Sequence, residues 1–334
     1  MKAAQLLRYS KTSTDLTIND IAKPKPKADE ILVKVKAAGV NPVDNMITAG
    51  DVKLIVPYDL PLTAGNEFAG IVEETGSQVT QFKAGDRVYA RMPLEKTGAF
   101  AEYLTISEKE VALIPDYLTF EEAATVPLTA LTAYQALDLL KVEAGKTIFI
   151  SGGTGGFGAV AIPLAKAHGL KVITNGGARN EARVRELGVD QFIDYQKEDY
   201  TKVLSNVDYV IDTLGGQELD KQFSILKKGG SLVTLRGVPN KAFAQSMGLS
   251  GFKQFLFGLV GRKYDKLAAK NDQTYHFIFV QSNGQQLTEI SQIFQEKQVP
   301  TSIDTIYDFE EVNKALDKVK NGRSQGKTIV TFKD

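Results

Sequence analysis

A glycine-rich turn between an apolar strand and an apolar helix is the strongest chemical signal in the sequence. It reads G-T-G-G-F-G from Gly153 to Gly158 and follows the apolar run Thr147–Ser151. In a G-x-G-x-x-G turn the first glycine permits tight turning, the second lets the backbone approach a pyrophosphate, and the third lets the helix lie close to the strand. The N–H groups and partial positive charge of the helix N-terminus suit phosphate oxygens. We therefore predict a dinucleotide site at Gly153, Thr154, Gly155, Gly156, Phe157 and Gly158, although such turns also occur for purely structural reasons.

The residues after the next strand indicate which dinucleotide binds. An NAD site usually has Asp or Glu at the end of that strand, where its carboxylate binds the ribose 2′-hydroxyl. Here the strand Lys171–Thr174 runs into N-G-G-A-R-N, and the first acid is Glu181. Arg179 can instead pair with a 2′-phosphate, because a guanidinium matches phosphate geometry. NADPH is therefore the predicted cofactor. The alternative is that Arg179 is a solvated arginine at a helix start.

Composition excludes several other kinds of site. The chain has no cysteine, which rules out disulfides, thiolate metal ligands and cysteine nucleophiles. Its two histidines, His168 and His276, are too few for a multi-histidine metal site. Forty basic and forty acidic residues leave no basic excess for a polyanion, so we expect no nucleic-acid partner.

Alternating strands and helices place the glycine turn in a doubly wound parallel sheet. Six short apolar runs, mostly rich in β-branched residues, are separated by helix-length segments, the signature of βαβ units. The runs are Thr147–Ser151, Lys171–Thr174, Gln191–Tyr195, Tyr209–Thr213, Ser231–Leu235 and Tyr275–Val280.

The rest of the chain predicts a second, β-rich domain, and 334 residues are enough for two domains. Ile31–Ala37 alternates apolar residues with lysines, as a half-buried strand does. The C-terminal stretch has amphipathic helices at Gln285–Gln295 and near Glu310–Asn321, then a strand at Lys327–Phe332. These elements do not extend the doubly wound sheet naturally, so we expect them to fold back onto the first domain.

The segment between the fifth and sixth runs does not fit this scheme. It includes G-F-K-Q-F-L-F-G-L-V-G from Gly251 to Gly261. Because long unstructured loops are uncommon in compact domains, we predict a helix here. It either fills a core groove, or covers the substrate pocket or a subunit contact.

Several ordered motifs along the whole chain resemble the quinone oxidoreductase branch of the medium-chain dehydrogenase/reductase superfamily. Besides the glycine turn they are A-A-G-V-N-P-V-D (Ala37–Asp44), G-N-E-F-A-G-I-V-E-E-T-G (Gly65–Gly76), F-K-A-G-D-R-V-Y (Phe82–Tyr89) and G-R-S-Q-G-K-T-I-V (Gly322–Val330). The resemblance is greatest to the subgroup of alkenal/one reductases and the mitochondrial and plastid quinone oxidoreductase homologues.

This resemblance implies an α/β fold with two domains. A GroES-like catalytic domain would comprise residues 1–123 and 283–334, and a Rossmann NADP-binding domain residues 124–282. It implies an NADPH-dependent oxidoreductase that transfers hydride to a quinone or an α,β-unsaturated carbonyl.

Compared with zinc-dependent relatives, the chain lacks the zinc ligands. Asn41 stands where they have a cysteine, and Asn66 where they have the histidine of G-H-E. The four-cysteine structural loop is also missing. Without thiolates or imidazoles at these positions no tetrahedral catalytic zinc site forms, so we expect no metal. Glu67 is retained, and we expect a structural role for it.

Other positions are assigned to the cofactor by the same resemblance. Thr132 matches a threonine near the nicotinamide, Arg179 a lysine of the family's S-A-K-N segment, and Tyr195 a tyrosine beside the adenosine phosphate. Gly177 replaces the serine of that segment, which removes one phosphate hydrogen bond. Leu235 and Lys327 complete the predicted cofactor set, and Arg323 matches a family position without a defined role.

Asn41 and Asp44 are the predicted catalytic residues. The Asn41 amide can donate to a substrate carbonyl oxygen as negative charge develops there. Asp44 can orient the neighbouring loop or the nicotinamide ribose. Both lie in the turn N-P-V-D, so capping that turn is the alternative. Tyr58 is a further possible donor, with core packing as its alternative role.

Three other functions remain open at this stage. A zinc alcohol dehydrogenase is opposed by Asn41 and Asn66. An enoyl-thioester reductase shares the fold and the hydride chemistry, and activity with crotonyl-CoA against a quinone panel separates the two. A non-enzymatic NADPH-binding protein would show no turnover with any acceptor.

The remaining expectations concern location and assembly. The N-terminus lacks an apolar core of signal-peptide length, and no apolar stretch reaches membrane-spanning length. We expect a cytoplasmic protein without a membrane span, a small-molecule substrate and a homodimer.

Overall fold

Two chain segments, Met1–Leu131 and Gln281–Asp334, form a first unit, and Thr132–Val280 forms a second. The computed structural model describes residues 1–13, 15–322 and 326–333, so Arg323 lies outside the described residues. The predicted α/β fold class is confirmed, with a β-rich first unit and a Rossmann sheet in the second.

The elements follow one another along the chain in three groups. The first comprises β1 (Lys2–Leu6), β2 (Thr17–Asp20), β3 (Glu30–Val40), α1 (Pro42–Thr48), β4 (Leu62–Thr63), β5 (Glu67–Thr75), β6 (Arg87–Arg91), β7 (Tyr103–Ser107), β8 (Ala112–Leu113), α2 (Phe120–Ala123) and α3 (Pro127–Leu140). The second comprises β9 (Thr147–Ile150), α4 (Gly156–Ala167), β10 (Lys171–Gly176), α5 (Glu181–Glu186), β11 (Gln191–Asp194), α6 (Tyr200–Val203), β12 (Val207–Asp212), α7 (Gly216–Ile225), β13 (Leu226–Thr234), α8 (Lys241–Ser246), α9 (Gly251–Ala269) and β14 (Thr274–Phe277). The third comprises α10 (Gly284–Lys297), β15 (Ile303–Asp308), α11 (Val312–Asn321) and β16 (Lys327–Thr331).

Strand β3 organises the first unit. It pairs antiparallel with β5, with β7 along its first half and with β16 along its second half. Its inward side chains, such as Val33 and Val35, pack in one apolar core with Phe68 and Phe100. The pairing of β16 with β3 puts the C-terminal strand in the sheet of the first unit, because Thr328 lies opposite Val40. Lys327 is therefore held beside the turn that follows β3.

The second unit has the strand order of a Rossmann fold. Its six parallel strands are arranged β11-β10-β9-β12-β13-β14, which is the order 3-2-1-4-5-6. Each of the six runs predicted as strands forms one of them, with ends that shift by a few residues. Because the order reverses between β9 and β12, the turn after β9 lies at the switch point where such sheets bind dinucleotides.

Segment Gly251–Val260 is helical as predicted, since it begins α9. Within the described residues, no helix combines the length and apolar character needed to cross a bilayer.

Candidate active site

The glycine turn is fixed from outside by the end of the neighbouring strand β10. The Gly152 N–H donates to Asn175 Oδ1 at 2.8 Å, and the Gly153 N–H donates to Thr174 Oγ1 at 3.0 Å. The Thr174 hydroxyl in turn donates to the Ile150 carbonyl at 2.6 Å. Two polar side chains of one strand therefore hold the turn that follows another.

The glycines of the turn are required for two different reasons. A Cβ at Gly153 would lie 2.2 Å from Thr174 Oγ1, and one at Gly158 would lie 2.0 Å from the Gly153 carbonyl oxygen. The left-handed backbone of the turn is at Gly152, with φ +62°, so Gly153 is needed for its close contact rather than for its dihedral angles. By contrast, a Cβ at Gly155 would meet nothing closer than 3.6 Å, and one at Gly156 nothing within 4 Å. The fold does not need glycine at these two positions, whereas a phosphate lying against the backbone does.

Several residues that support the turn were missed by the sequence analysis. Gly176 lets Thr154 approach, since a Cβ there would lie 2.1 Å from Thr154 Cγ2. The Arg183 guanidinium donates to the Thr154 carbonyl oxygen. A polar T-N-G sequence at a strand end is a local signal for turn contacts, but the partner of Arg183 is 29 residues away and leaves no local pattern.

The residues predicted to bind a 2′-phosphate lie at the ends of adjacent strands. Gly176 is paired with Asp194 in the parallel register of β10 and β11, so Gly177 and Tyr195 leave the sheet side by side. A Cβ at Gly177 would lie 4.0 Å from the Tyr195 ring, an ordinary contact distance. Tyr195 is 60% exposed, and Arg179 is also exposed, without a hydrogen bond or ion pair to any of the described residues.

Three further predicted cofactor residues lie on other elements of the second unit. Phe157 is half-buried in the first turn of α4, and Thr132 is 9% exposed in α3. Leu235 follows β13, and its N–H donates to the Asp212 carbonyl at 2.9 Å. The cofactor roles of these three residues stay predictions.

A buried polar cluster follows β3 in the first unit and contains both predicted catalytic residues. The Lys327 ammonium donates to Glu67 Oε1 and to Asn41 Oδ1, each at 2.6 Å, and to Thr129 Oγ1 at 3.2 Å. The other oxygen of Glu67 accepts from the Leu128 N–H at 2.8 Å. Lys327 therefore uses all three of its donors within the protein.

The Asn41 side chain is also committed to protein contacts. Its amide nitrogen donates to Glu67 Oε1 at 2.8 Å and, more weakly, to the Gly39 carbonyl at 3.3 Å. Asn41 also stands directly before α1 as its N-cap residue, and its N–H donates to Asp44 in the first turn. Only the longer bond, to Gly39, is weak enough for a substrate oxygen to replace it.

Asp44 connects the two asparagines of this cluster. Its Oδ1 accepts from Asn66 Nδ2 at 2.6 Å, and its Oδ2 accepts from the Asn41 N–H at 2.7 Å. Burial raises the pKa of Asp44 to about 7, and the nearby Glu67 charge acts in the same direction. The bonds from Asn66 and Asn41 oppose that increase.

The cluster does not fit a catalytic zinc ion. Asn41 and Asn66 supply amides, and the Lys327 ammonium lies against Asn41 and Glu67, where its charge would repel a metal cation. Across residues 1–13, 15–322 and 326–333, no three His, Cys, Asp or Glu side chains are grouped so that they could hold a metal ion.

Arg91 is a second buried cation that the sequence analysis missed. It lies opposite Glu67 in the β5–β6 pairing and is 2% exposed. One guanidinium nitrogen donates to the Met92 carbonyl, and its Nε finds no hydrogen-bond partner among the described residues. Burial lowers the pKa of Arg91 to about 10. The nearby Tyr58, the possible donor considered above, gives its own hydroxyl proton to the Leu94 carbonyl at 2.7 Å.

Comparison with known proteins identifies the family of the chain. Residues 27–116 match the alcohol dehydrogenase GroES-like domain, and residues 187–330 match the zinc-binding dehydrogenase family. The 2-methylene-furan-3-one reductase of Solanum lycopersicum is 32% identical over 341 residues, covering 99% of this chain and 79% of that protein. The chain belongs to the medium-chain dehydrogenase/reductase superfamily.

Two further similarities indicate the branch of this superfamily that the chain resembles. A chloroplastic NADPH-dependent alkenal/one oxidoreductase of Arabidopsis thaliana is 38% identical over 228 residues, covering 66% of this chain and 58% of that protein. The solved quinone oxidoreductase from Coxiella burnetii has a TM-score of 0.83 at 28% identity, covering 100% of this chain and 99% of that one. The predicted resemblance is confirmed, and this superfamily member is an oxidoreductase that uses a nicotinamide cofactor.

The two classes of glycine in the turn predict opposite effects of alanine. Gly155→Ala should change the free energy of unfolding by less than about 1 kcal/mol, yet weaken the cofactor about tenfold or more, because the methyl group occupies the space of a phosphate. Gly158→Ala should lower the free energy of unfolding by about 1–3 kcal/mol, because the Gly153 backbone must move. Urea denaturation and fluorescence titration measure the two effects. Equal destabilisation by both variants would contradict this division.

The raised pKa of Asp44 predicts a distinct dependence of stability on pH. A carboxyl group whose pKa is higher in the folded state stabilises the fold fully below its unfolded pKa, and loses that contribution as pH rises through the folded value. The free energy of unfolding of wild type relative to Asp44→Asn should therefore fall between about pH 4 and 7, by at most about 1.4 kcal/mol per unit, and level off above. Urea denaturation at successive pH values tests this. A difference independent of pH would mean that Asp44 has an ordinary pKa.

Proposed function

We propose that the protein is an NADPH-dependent reductase that transfers hydride to a quinone or an α,β-unsaturated carbonyl without zinc. The observation that carries this proposal is the Lys327 ammonium, which contacts both Asn41 and Glu67 where zinc-dependent relatives assemble their ligands. The names of the tomato and Arabidopsis relatives, a furanone reductase and an alkenal/one oxidoreductase, point to the same class of acceptor.

The chemistry of conjugated acceptors suits a site of this kind. Alcohol oxidation benefits from a metal that lowers the pKa of the hydroxyl group, and the described residues of this cluster include no group of three His, Cys, Asp or Glu side chains that could hold one. A quinone or enone accepts hydride more readily, because the resulting negative charge is delocalised onto oxygen. The bound nicotinamide supplies the hydride, and the protein supplies position and electrostatics.

We assign separate roles to the two predicted catalytic residues. Asn41 would exchange its 3.3 Å bond to Gly39 for a bond to the substrate oxygen, so its amide stabilises the developing charge. Asp44 would act as a positioning residue, since it binds the Asn41 N–H and the Asn66 side chain. Lys327 would orient the Asn41 side chain by donating to its Oδ1. It also remains a proposed contact of the cofactor.

NADPH is favoured over NADH by the strand end after β10. No acid lies between Thr174 and Arg179, and Arg179 is exposed two residues after Gly177, at a strand end that adjoins the end of β11 before Tyr195. The helix N-terminus at Gly156 and the open backbone at Gly155 suit the pyrophosphate. The homodimer and the cytoplasmic location stay predictions, as does the assignment of residues 1–123 and 283–334 to the catalytic domain and 124–282 to the cofactor domain.

The reaction is tested with a panel of acceptors. We expect NADPH oxidation with quinones and short enones, little with saturated ketones, and no loss of rate in EDTA. Crotonyl-CoA serves as the comparison, because a preference for it would identify an enoyl-thioester reductase instead. Turnover that depends on one bound zinc ion per chain would contradict the proposal, and no turnover with any acceptor would leave a binding protein.

The proposed preference for NADPH over NADH is tested at Arg179. Hydrogen bonds to charged groups contribute roughly 1.5–3 kcal/mol, so Arg179→Ala should weaken NADPH binding about tenfold to a hundredfold and leave NADH nearly unchanged. Because Arg179 and the phosphate would be exposed to solvent, we expect a loss of affinity of about tenfold. Fluorescence titration of both cofactors gives the dissociation constants.

A gain-of-contact variant at Gly177 complements this loss. The backbone there has φ −80° and ψ 140°, which any residue adopts, and a Cβ is accommodated. Gly177→Ser should tighten NADPH severalfold by one added hydroxyl donor and leave NADH unaffected. Equal effects of either variant on both cofactors would show that these residues do not contact a 2′-phosphate.

A further inference from the structure

Helix α9 is held firmly to the second unit by one narrow face. Phe257, Gly261, Tyr264 and Ala268 are buried, and they recur at the spacing of one helical stripe. Gly261 allows close packing, since a Cβ there would lie 2.6 Å from Asn240 Cα. Phe257 meets the Phe243 ring edge-on at 6.1 Å between centroids. The helix therefore presents its opposite side in a defined orientation.

That opposite side is apolar along the first half of the helix and lies in solvent. Five residues at positions i, i+3, i+4, i+7 and i+8 form what we call the α9 face: Phe252 (72% exposed), Phe255 (61%), Leu256 (37%), Leu259 (52%) and Val260 (59%). Such spacing puts all five on one side of the helix. Exposed apolar residues are common singly, but a contiguous group with two phenylalanines is typical of a binding surface.

Basic residues follow the α9 face along the same helix. Arg262, Lys263 and Lys266 in the later turns of α9, and Lys270 directly after the helix, are all exposed. Lys263 pairs with Asp220 at 2.7 Å, and the other three form no ion pair with any of the described residues. The only acid of the helix, Asp265, is half-buried and accepts from Asn240 at 2.7 Å. The exposed side of α9 is thus apolar first and cationic afterwards.

We propose that α9 docks the protein on the surface of an anionic lipid bilayer. An apolar face with phenylalanine and leucine, followed by lysine and arginine, is the pattern of helices that lie in the membrane interface. The α9 face would enter the boundary between headgroups and acyl chains, while the basic turns pair with lipid phosphates. This is a surface contact, and it requires no membrane-spanning segment.

A second copy of the chain fits the same surface less well. A two-fold contact through α9 alone would offer the basic turns no acidic partner, because Asp265, the only acid of the helix, is half-buried and bonded to Asn240. Five side chains on one helix are also few, because a standard interface involves about 20–30 residues a side. An anionic bilayer complements both halves of the helix at once. The inference is independent of the proposed reaction, although apolar quinones and enones do partition into bilayers.

Vesicle flotation of the full-length protein tests the proposal. The probes are phosphatidylcholine vesicles with and without phosphatidylglycerol, at low and high salt. We expect wild type to float with the anionic vesicles, less with neutral ones, and less at high salt. The double variant Phe255→Gln with Leu259→Gln should lower the bound fraction roughly tenfold, and Lys266→Gln with Lys270→Gln should lower it for anionic vesicles alone.

Matched controls exclude a general surface effect. Val203, 49% exposed on the short helix α6 of the same unit, and Lys202 beside it provide Val203→Gln and Lys202→Gln, which should float as wild type does. Failure of wild type to float, or equal flotation of the Phe255/Leu259 variant, overturns the proposal. So does a wild-type dimer in sedimentation that this variant converts to monomer without any vesicle binding. Turnover with a water-soluble acceptor, measured separately, reports on the proposed function alone.

Discussion

The antiparallel pairing of β16 with β3 is the contact on which the buried polar cluster of Asn41, Glu67 and Lys327 depends. It places Lys327 beside Asn41, 286 residues earlier in the chain, because Thr328 lies opposite Val40. Three cluster members, Asn41, Glu67 and Lys327, come from three different strands or their ends, and each satisfies a buried polar group of another. A buried ammonium without the Glu67 carboxylate would be costly, and so would the carboxylate without the ammonium. The cluster therefore forms only if the two chain segments of the first unit join in the same sheet.

The charged groups of this cluster, Lys327, Glu67 and Asp44, limit the chemistry that it can support. The Lys327 cation compensates Glu67 but spends its three donors on protein oxygens, so it contributes a fixed positive potential rather than a free electrophile. The Asp44 carboxyl lies close enough to Glu67 that burial and like charge raise its pKa. Arg91 adds a second buried positive charge on the Glu67 side of the sheet. Under the proposed function, this arrangement would suit an acceptor whose oxygen gains negative charge without a metal.

Different glycines of the turn are required by the fold and by the proposed ligand. At Gly153 and Gly158 the protein itself excludes a methyl group, so packing alone accounts for glycine. At Gly155 and Gly156 the space is open, so packing does not account for glycine there, whereas the proposed phosphate site would. Helix α9 has a comparable division, with small and aromatic residues toward its own unit and an apolar, then basic, face toward solvent.

Much of this protein was predictable from sequence because its signals are local. The six strands follow from short apolar runs, the turn between β9 and α4 from its glycines, and α9 from the length of the segment between the fifth and sixth runs. The absence of cysteine excluded a thiolate metal site outright. Contacts between distant segments left no such pattern. The sequence did not predict that Thr174 and Asn175 hold the turn after β9, that Arg183 binds Thr154, or that Arg91 is buried opposite Glu67. It suggested Asn41 as a donor to the substrate, and only the tertiary structure shows that its amide already donates to Glu67 and Gly39. Strand register and side-chain burial decide these points, because a hydrogen bond between residues far apart in the chain depends on how the sheets assemble rather than on either local sequence.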